Sequence, residues 1–300
     1  MVIQALSIRE SLETLGLQST VSEKSTTGIY APSDADWNYK DIPHLAEVHH
    51  QVDGVLIEAG DQHLSSIFLQ RIGPVSIPMV VFIGATSHPG ITYFGAAGPF
   101  VLMISTTWMS EQVGSTQVTT RYEVFSKKLF RPFHPLIHRL LSRNYEVLMA
   151  ADLPMREQRG FLRSRGYRFR GDTDGYQFRD SVNIHIRNLV APESLRSVEI
   201  SIDISGVPQG LSRHGGDAED GIILNRQGEQ VSLFPLICDH EGANLGCAPV
   251  SNRGLKCPWH GRNVRPLANV DLFSKTSEVF DEKSRVFFVD SRLVVQRDFP

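Results

Sequence analysis

The sequence predicts an α+β protein of two domains, an antiparallel sheet curved around a long helix and then a small all-β domain. Three observations carry that prediction. Between residues 54 and 123, six short runs rich in β-branched and aromatic residues are separated by Gly, Pro and Asp. A long helical pattern then begins at Pro132. Beyond Pro192 helical periodicity nearly vanishes and strand patterns take over.

Taken in order, residues 1–36 open with a short helical pattern (Leu6, Ile8, Leu12, Leu15) and pass into the Ser/Thr-rich stretch 19–28. They read as a loosely attached lead segment. The first domain, 37–191, has a predicted helix over Ile42–Val52. Strands are expected at Gly54–Glu58, Ser65–Arg71, Met79–Gly84, Ile91–Phe94, Phe100–Thr107 and Gln117–Glu123. The long helix covers Pro132–Ala150, breaks at Pro154 and resumes to near Gly166. In the second domain, 192–300, Ser197–Val207 reads as a strand. Gly221–Ile237 reads as two strands turning at Asn225–Gly228, and Ser284–Gln296 as a hairpin turning at Asp290–Ser291.

Composition sets the function classes aside one by one. The 300 residues carry a net charge of −3, so no chain-wide basic field exists to hold a nucleic acid. The most apolar stretch, Val75–Ala85, is far short of the ~20 residues that span a membrane. No basic stub and apolar run of a secretory signal opens the sequence, and a cytoplasmic location is expected. Three cysteines cannot build a disulfide scaffold. They cluster, however: Cys238, Cys247 and Cys257 lie close together with His240 and His260.

That cluster reads Cys238-Asp239-His240, sixteen residues, then Cys257-Pro258-Trp259-His260-Gly261. Two thiolates and two imidazoles suit tetrahedral zinc or an iron–sulfur cluster. Zinc knuckles usually pair Cys with Cys and His with His, whereas here each arm carries one of each. Each arm can then give one ligand to each of two metals, both thiolates on one iron and both imidazoles on the other. The pattern resembles the Rieske iron–sulfur motif, with Gly242 and Leu245 after the first arm and Pro258 and Gly261 around the second. The resemblance implies a [2Fe–2S] cluster bound by Cys238, His240, Cys257 and His260. Rieske oxygenases commonly have Arg after the first His; this chain has Glu241, which makes the surroundings more negative. Cys247 is left as a loop or packing residue, and Trp259 is expected to pack over the cluster.

A Rieske cluster only moves electrons, so chemistry must be sought elsewhere. Asp41-x2-His44-x4-His49 and Asp152-Leu153-Pro154-Met155-Arg156-Glu157-Gln158 then become informative. Two His and one carboxylate make the facial triad of non-haem Fe(II) oxygenases, which leaves positions open for O2. Both segments resemble those of the Rieske non-haem iron oxygenases. Carried over, His44, His49 and Asp152 would bind a mononuclear Fe(II), and Asp41 would be the catalytic carboxylate linking that iron to a Rieske His. Asp41 and His44, at i and i+3, share a helix face. His44 and His49 are i,i+5, about 140° apart on a regular helix, so a local distortion such as a π-type bulge is required. Asp152 also reads as an N-cap for the last helix, His49 and His50 as surface residues, and His134 with His138 as a rival pair.

The domain order is reversed from the usual oxygenase, in which the Rieske domain comes first. The strand and helix order also resembles the helix-grip (START-like) ligand-binding folds, which supply a cavity with or without iron. The implied protein is a Rieske-type oxygenase acting on a small, mostly apolar organic substrate. Its electrons would come from a ferredoxin or reductase, and its subunits would form a ring, expected to be a trimer. Two alternatives stand beside it: a Rieske electron carrier fused to a non-catalytic START-like domain, and a zinc-stabilised interaction module. Residues 139–170 hold eight Arg against three acids, either a docking face for an acidic donor or a solvated helix face.

Overall fold

The computed structural model describes residues 8–298 apart from 50–51, 61–62, 73–74, 86–88, 175, 179–187, 194–196, 219 and 252–253. His50 therefore lies outside the described residues. Contacts divide the chain into two compact units, Met1–Gly160 with Gly175–Val182, and Phe161–Asp174 with Asn183–Pro300.

The first unit begins with a short helix α1 (Ile8–Thr14), then β1 (Gln18–Gly28), α2 (Pro32–Lys40) and α3 (His44–Val48). Six strands follow: β2 (Val52–Ala59), β3 (His63–Ile72), β4 (Val75–Ala85), β5 (Gly90–Ala97), β6 (Phe100–Gln112) and β7 (Ser115–Ser126). They coincide with the six expected runs, each extended by a few residues at its ends. The seven strands form one sheet in the order β1-β7-β6-β5-β4-β3-β2, every neighbour antiparallel. A 31-residue helix α4 (His134–Ser164) follows. Its Tyr145 and Met149 are buried with Tyr122 of the sheet, and Ile104, Leu141 and Leu148 pack around them. Each such apolar side chain contributes about 1.5–3 kcal/mol on burial. A second core, Tyr30, Ala35, Leu64, Val81, Ile83, Ile91, Trp108 and Val118, spans the sheet and the α2 segment.

Three expectations are corrected. The supposed lead segment contains β1, paired with β7 along its whole length from Gln18↔Ser126 to Gly28↔Thr116. Its even-numbered side chains meet α4 through polar bonds: Thr20 to His134 and His138, Ser22 to His138, Lys24 to Glu146, Thr26 to Tyr145. The alternation is there, but it is polar on both faces and escapes a hydrophobic reading. Secondly, the helix expected over Ile42–Val52 is only the short α3, and an unexpected helix α2 precedes it, the two parted at Asp41–Pro43. Proline at 43 disfavours helix at the residue before it, and then opens the next helix well. Thirdly, α4 does not break at Pro154, although a proline inside a helix costs ~3 kcal/mol. Met149, Asp152, Met155, Arg156 and Arg159 are buried on both sides of it, and that packing carries the helix through. Near its end only glycine fits at 160, because a Cβ there would lie 2.2 Å from the Ile29 carbonyl oxygen.

The second unit is β-rich. A short pair, β8 (Arg168–Phe169) and β9 (Leu189–Val190), precedes β10 (Ser197–Asp203), β11 (Gly210–Gly215), β12 (Gly221–Gln227) and β13 (Gln230–Pro235). Next come β14 (Val250–Ser251), β15 (Gly254–Lys256), β16 (Asn263–Val264), β17 (Ala268–Asp271), β18 (Thr276–Val279), β19 (Ser284–Val289) and β20 (Arg292–Asp298). Larger sheets run β11-β12-β13-β17-β18 and β10-β20-β19, and a small one β14-β15-β16. Their shared core is Ile200, Ile202, Ile222, Leu224, Val231, Leu233, Val270, Leu293 and Val295. The hairpin at Asp290–Ser291 sits where expected, with Asp290 at φ 54°. The β12–β13 turn is tighter than expected, closed by Gln227↔Gln230 with Gly228 at φ 64°.

Candidate metal centres

In the first unit the chain turns sharply between two short helices, and that turn builds a site. α2 ends at Lys40, and Asp41 leaves the helical path at ψ 77°. His44 opens α3. His49 is its C-cap at φ −108°, ψ 80°, its N–H donated to the Leu45 carbonyl at 3.1 Å. The distortion required to bring His44 and His49 together is therefore the end of the helix, not a bulge inside it. Their rings lie 5.3 Å apart, edge to face.

Asp152 arrives from the middle of α4, two turns before Gly160, and is no N-cap because the helix is continuous. One ligand atom from each of His44, His49 and Asp152 lies within 4.8 Å of the others, and all three residues are buried. Asp152 Oδ1 is 2.9 Å from His49 Nε2 and 3.5 Å from His44 Nε2. The Nδ1–H of His44 is donated to the main-chain oxygen of Asp41, which leaves Nε2 for the shared centre. A main-chain carbonyl holding the far nitrogen is the arrangement that orients metal-binding histidines. Burial alone would lower the His44 pKa, but the Asp152 carboxylate outweighs it and raises it above the ordinary value. Burial likewise opposes the Asp152 carboxylate, yet the bonds from His44 and His49 hold its pKa far below the usual range.

Two residues that sequence reasoning passed over complete this centre. Arg156, one turn beyond Asp152, is fully buried and places Nη2 3.7 Å from Asp152 Oδ2. It also donates to Asn38 Oδ1 from Nε at 2.9 Å and Nη2 at 2.5 Å. Asn38 in turn donates to Asp152 Oδ1 at 3.5 Å. The i,i+4 spacing of Asp152 and Arg156 was the available signal. Arg156 and Arg159 are both inside the protein, Arg159 bonded to buried Asp34 at 2.9 Å, so the Arg-rich stretch is not one exposed basic face.

A cavity of about 210 Å³ opens beside these three side chains, His44, His49 and Asp152, lined also by Tyr39, Leu45, Tyr93, Ile104, Tyr122 and Met149. Burial keeps the Tyr93 and Tyr122 phenols protonated by raising their pKa values. Asp41 is itself buried, its main chain serving His44. The rival pair His134 and His138 is occupied otherwise, bonded at 2.7–2.8 Å to Thr20, Ser22 and Ser126.

In the second unit, two tight loops carry the remaining predicted donors. The first closes through Cys238 N–H to Ala243 O at 2.9 Å and Gly242 N–H to Cys238 O at 3.0 Å, with an Ile237↔Asn244 bridge behind it. Gly242 sits at φ 88°, and a Cβ there would lie 2.6 Å from Leu162. The second closes through Cys257 N–H to Arg262 O at 2.7 Å and Gly261 N–H to Cys257 O at 2.9 Å. Cys238, His240, Cys257 and His260 are all buried, and the two imidazoles lie 4.9 Å apart. The two free thiols share a hydrogen bond, which lowers the Cys257 pKa towards thiolate and raises that of Cys238. Both Nδ1 atoms are buried and carry no hydrogen bond among the described residues, as atoms reserved for a metal would be. The donor set and its burial fit a [2Fe–2S] cluster with mixed ligands. Glu241 is buried beside it, accepting from Asn188 Nδ2 at 2.6 Å, and Trp259 is buried too. Cys247 is exposed on a turn, so it is a loop residue and not a packing one.

No curated protein matches the chain in sequence. Among solved structures, the Zhui aromatase/cyclase from Streptomyces sp. R1128 is similar at 13% identity and TM-score 0.42, covering 47% of this chain and 96% of that one. A START superfamily protein from Mycobacterium smegmatis is similar at 12% identity and TM-score 0.40, covering 46% and 97%. Norcoclaurine synthase from Thalictrum flavum, in complex with dopamine and hydroxybenzaldehyde, is similar at 12% identity and TM-score 0.40, covering 52% and 94%. The sequence profile of the Rieske [2Fe-2S] domain family matches residues 201–295, the stretch that holds all four buried sulfur and nitrogen donors, and this part of the chain is a Rieske [2Fe-2S] domain.

Proposed function

We propose that this chain is a Rieske-type oxygenase, using O2 and electrons from a separate ferredoxin or reductase to oxidise a small, mostly apolar organic molecule. The observation that carries the reading is the buried trio of His44, His49 and Asp152 at a cavity, in a chain that also has a Rieske domain. Two imidazoles and a carboxylate are the donor set of non-haem Fe(II) sites with positions open for oxygen. When bound, the [2Fe–2S] cluster would supply single electrons and the Fe(II) would supply oxygen activation.

The residues of the chain have distinct tasks. The Asp41 carbonyl orients His44, while Asn38 and Arg156 hold Asp152 and its negative charge in place. Leu45, Ile104, Leu148 and Met149 give the cavity an apolar wall that excludes water and favours an uncharged substrate. At about 210 Å³ the space exceeds the ~150 Å³ cavity that accepts benzene, so a single ring with a small substituent fits its size.

Anaerobic iron and sulfide analysis, with EPR of the dithionite-reduced protein, tests the proposal. Three irons and two sulfides per chain are expected, falling to two and two in a His44→Ala/His49→Ala variant whose cluster spectrum is unchanged. Two irons in the wild type would sink the oxygenase and favour an electron carrier fused to a ligand-binding domain. One observation supports that second reading: the Asp152 carboxylate already has His49, Asn38 and Arg156 around it, which offset its charge without an ion.

A further inference from the structure

The loops that carry Cys238–His240 and Cys257–His260 are each closed by their own main-chain bonds. Besides the contact between the two cysteine donors, an ion pair runs across from loop to loop. Arg262 Nη1 donates to Asp239 Oδ1 at 2.7 Å. Asp239 lies between the two donors of the first loop, and Arg262 lies two residues beyond His260. Both partners are anchored at the backbone as well. The Arg262 carbonyl takes the N–H of Cys257 at 2.7 Å, and the Asp239 carbonyl takes that of Leu189 at 3.3 Å. The Asn188 N–H reaches the His240 carbonyl at 3.0 Å, so the strap 188–189 supports the first loop from behind. A disulfide cannot tie these loops, because Cys238 and Cys257 are themselves donors and Cys247 is an exposed free thiol.

We infer that the Asp239–Arg262 ion pair is a positioning clasp, fixing the separation of the two loops so that two thiolates and two imidazoles stay at the spacing of one [2Fe–2S] cluster. The inference rests on the Rieske domain alone and stands whether or not a second iron is present. The Arg262 side chain is 17% exposed and that of Asp239 40%, and a pair this open adds little to global stability. Its work is orientation. Groups that hold metal donors from behind commonly change metal retention by roughly ten-fold or more when removed.

The test uses the full chain loaded with its cluster, and follows bleaching of the visible absorption in excess chelator, with the EPR spectrum of the reduced form recorded alongside. Arg262→Gln and Asp239→Asn should each release the cluster roughly ten-fold faster and broaden the EPR signal, with thermal unfolding little changed. Arg262→Lys should recover part of the loss. The exchanged pair Asp239→Arg/Arg262→Asp should return the rate to near wild type. Wild-type release rates and spectra in both single variants would overturn the clasp. If the single variants take up no cluster, uptake by the exchanged pair supports the inference, and failure of the exchanged pair as well overturns it.

Discussion

At the scale of single residues, the first-unit centre is a balance of buried charge. Arg156 has no access to water, and its positive charge is matched by Asp152 while its N–H groups are taken up by Asn38. Removing one partner of a buried pair leaves the other uncompensated, which costs about 3–5 kcal/mol. Arg156→Met should therefore lower the free energy of urea unfolding by that order, whereas Arg143→Met, at an exposed position of the same helix, should stay within ~0.5 kcal/mol. Equal losses in the two variants would refute the pairing. The four Rieske donors could be named from sequence because the cluster demands particular donor atoms at particular spacings, and His44, His49 and Asp152 because their segments resemble those of the oxygenases. Asn38 and Arg156 could not, since an amide or a guanidinium acquires its meaning only from what it faces.

At the scale of elements, β1 and α4 are joined by a polar seam that also explains the fate of the rival histidine pair. The Thr20 hydroxyl lies 2.8 Å from both His134 and His138, and Ser126 and Ser22 hold their remaining nitrogens at 2.7 Å. Burial lowers the pKa of each below the ordinary histidine value, and for His134 the charges of His138 and Arg131 add to it. The folded state then binds fewer protons than the unfolded one, so this stability is complete above about pH 6.5 and is lost as pH falls through the folded values. Urea midpoints should drop between about pH 7.5 and pH 5, and the drop should be smaller in His138→Gln. An identical pH slope in that variant would remove His138 from the account. Hydrophobic periodicity located β2–β7 to within a few residues, but it missed β1 because Thr20, Ser22, Lys24 and Thr26 answer polar groups on the helix.

For the whole molecule, the proposed oxygenase implies an assembly in which Asp41 links the iron of one subunit to a Rieske histidine of the next. The native mass should then be about three times the 33.5 kDa of one chain. Asp41→Ala should retain both metals yet lose turnover by about 10–100-fold, the range for residues that act from behind metal ligands. A monomer in solution, or full turnover in the variant, would remove the bridge. Among the described residues no helix is long and apolar enough to cross a membrane.

The amino-acid order by itself determined the mixed α+β class, the six-strand meander, the final hairpin and the two Cys–His arms of the Rieske motif, because side-chain period and the spacing within each arm are local quantities. His44, His49 and Asp152, by contrast, were reached by resemblance to oxygenase segments. Tertiary structure decided the rest. It drew β1 into the sheet, carried α4 through Pro154 and ended α3 at Val48 so that His49 could turn towards Asp152. In each case contacts between residues far apart in sequence outweighed a local preference worth only a few kcal/mol, and no window of neighbouring residues contains those contacts.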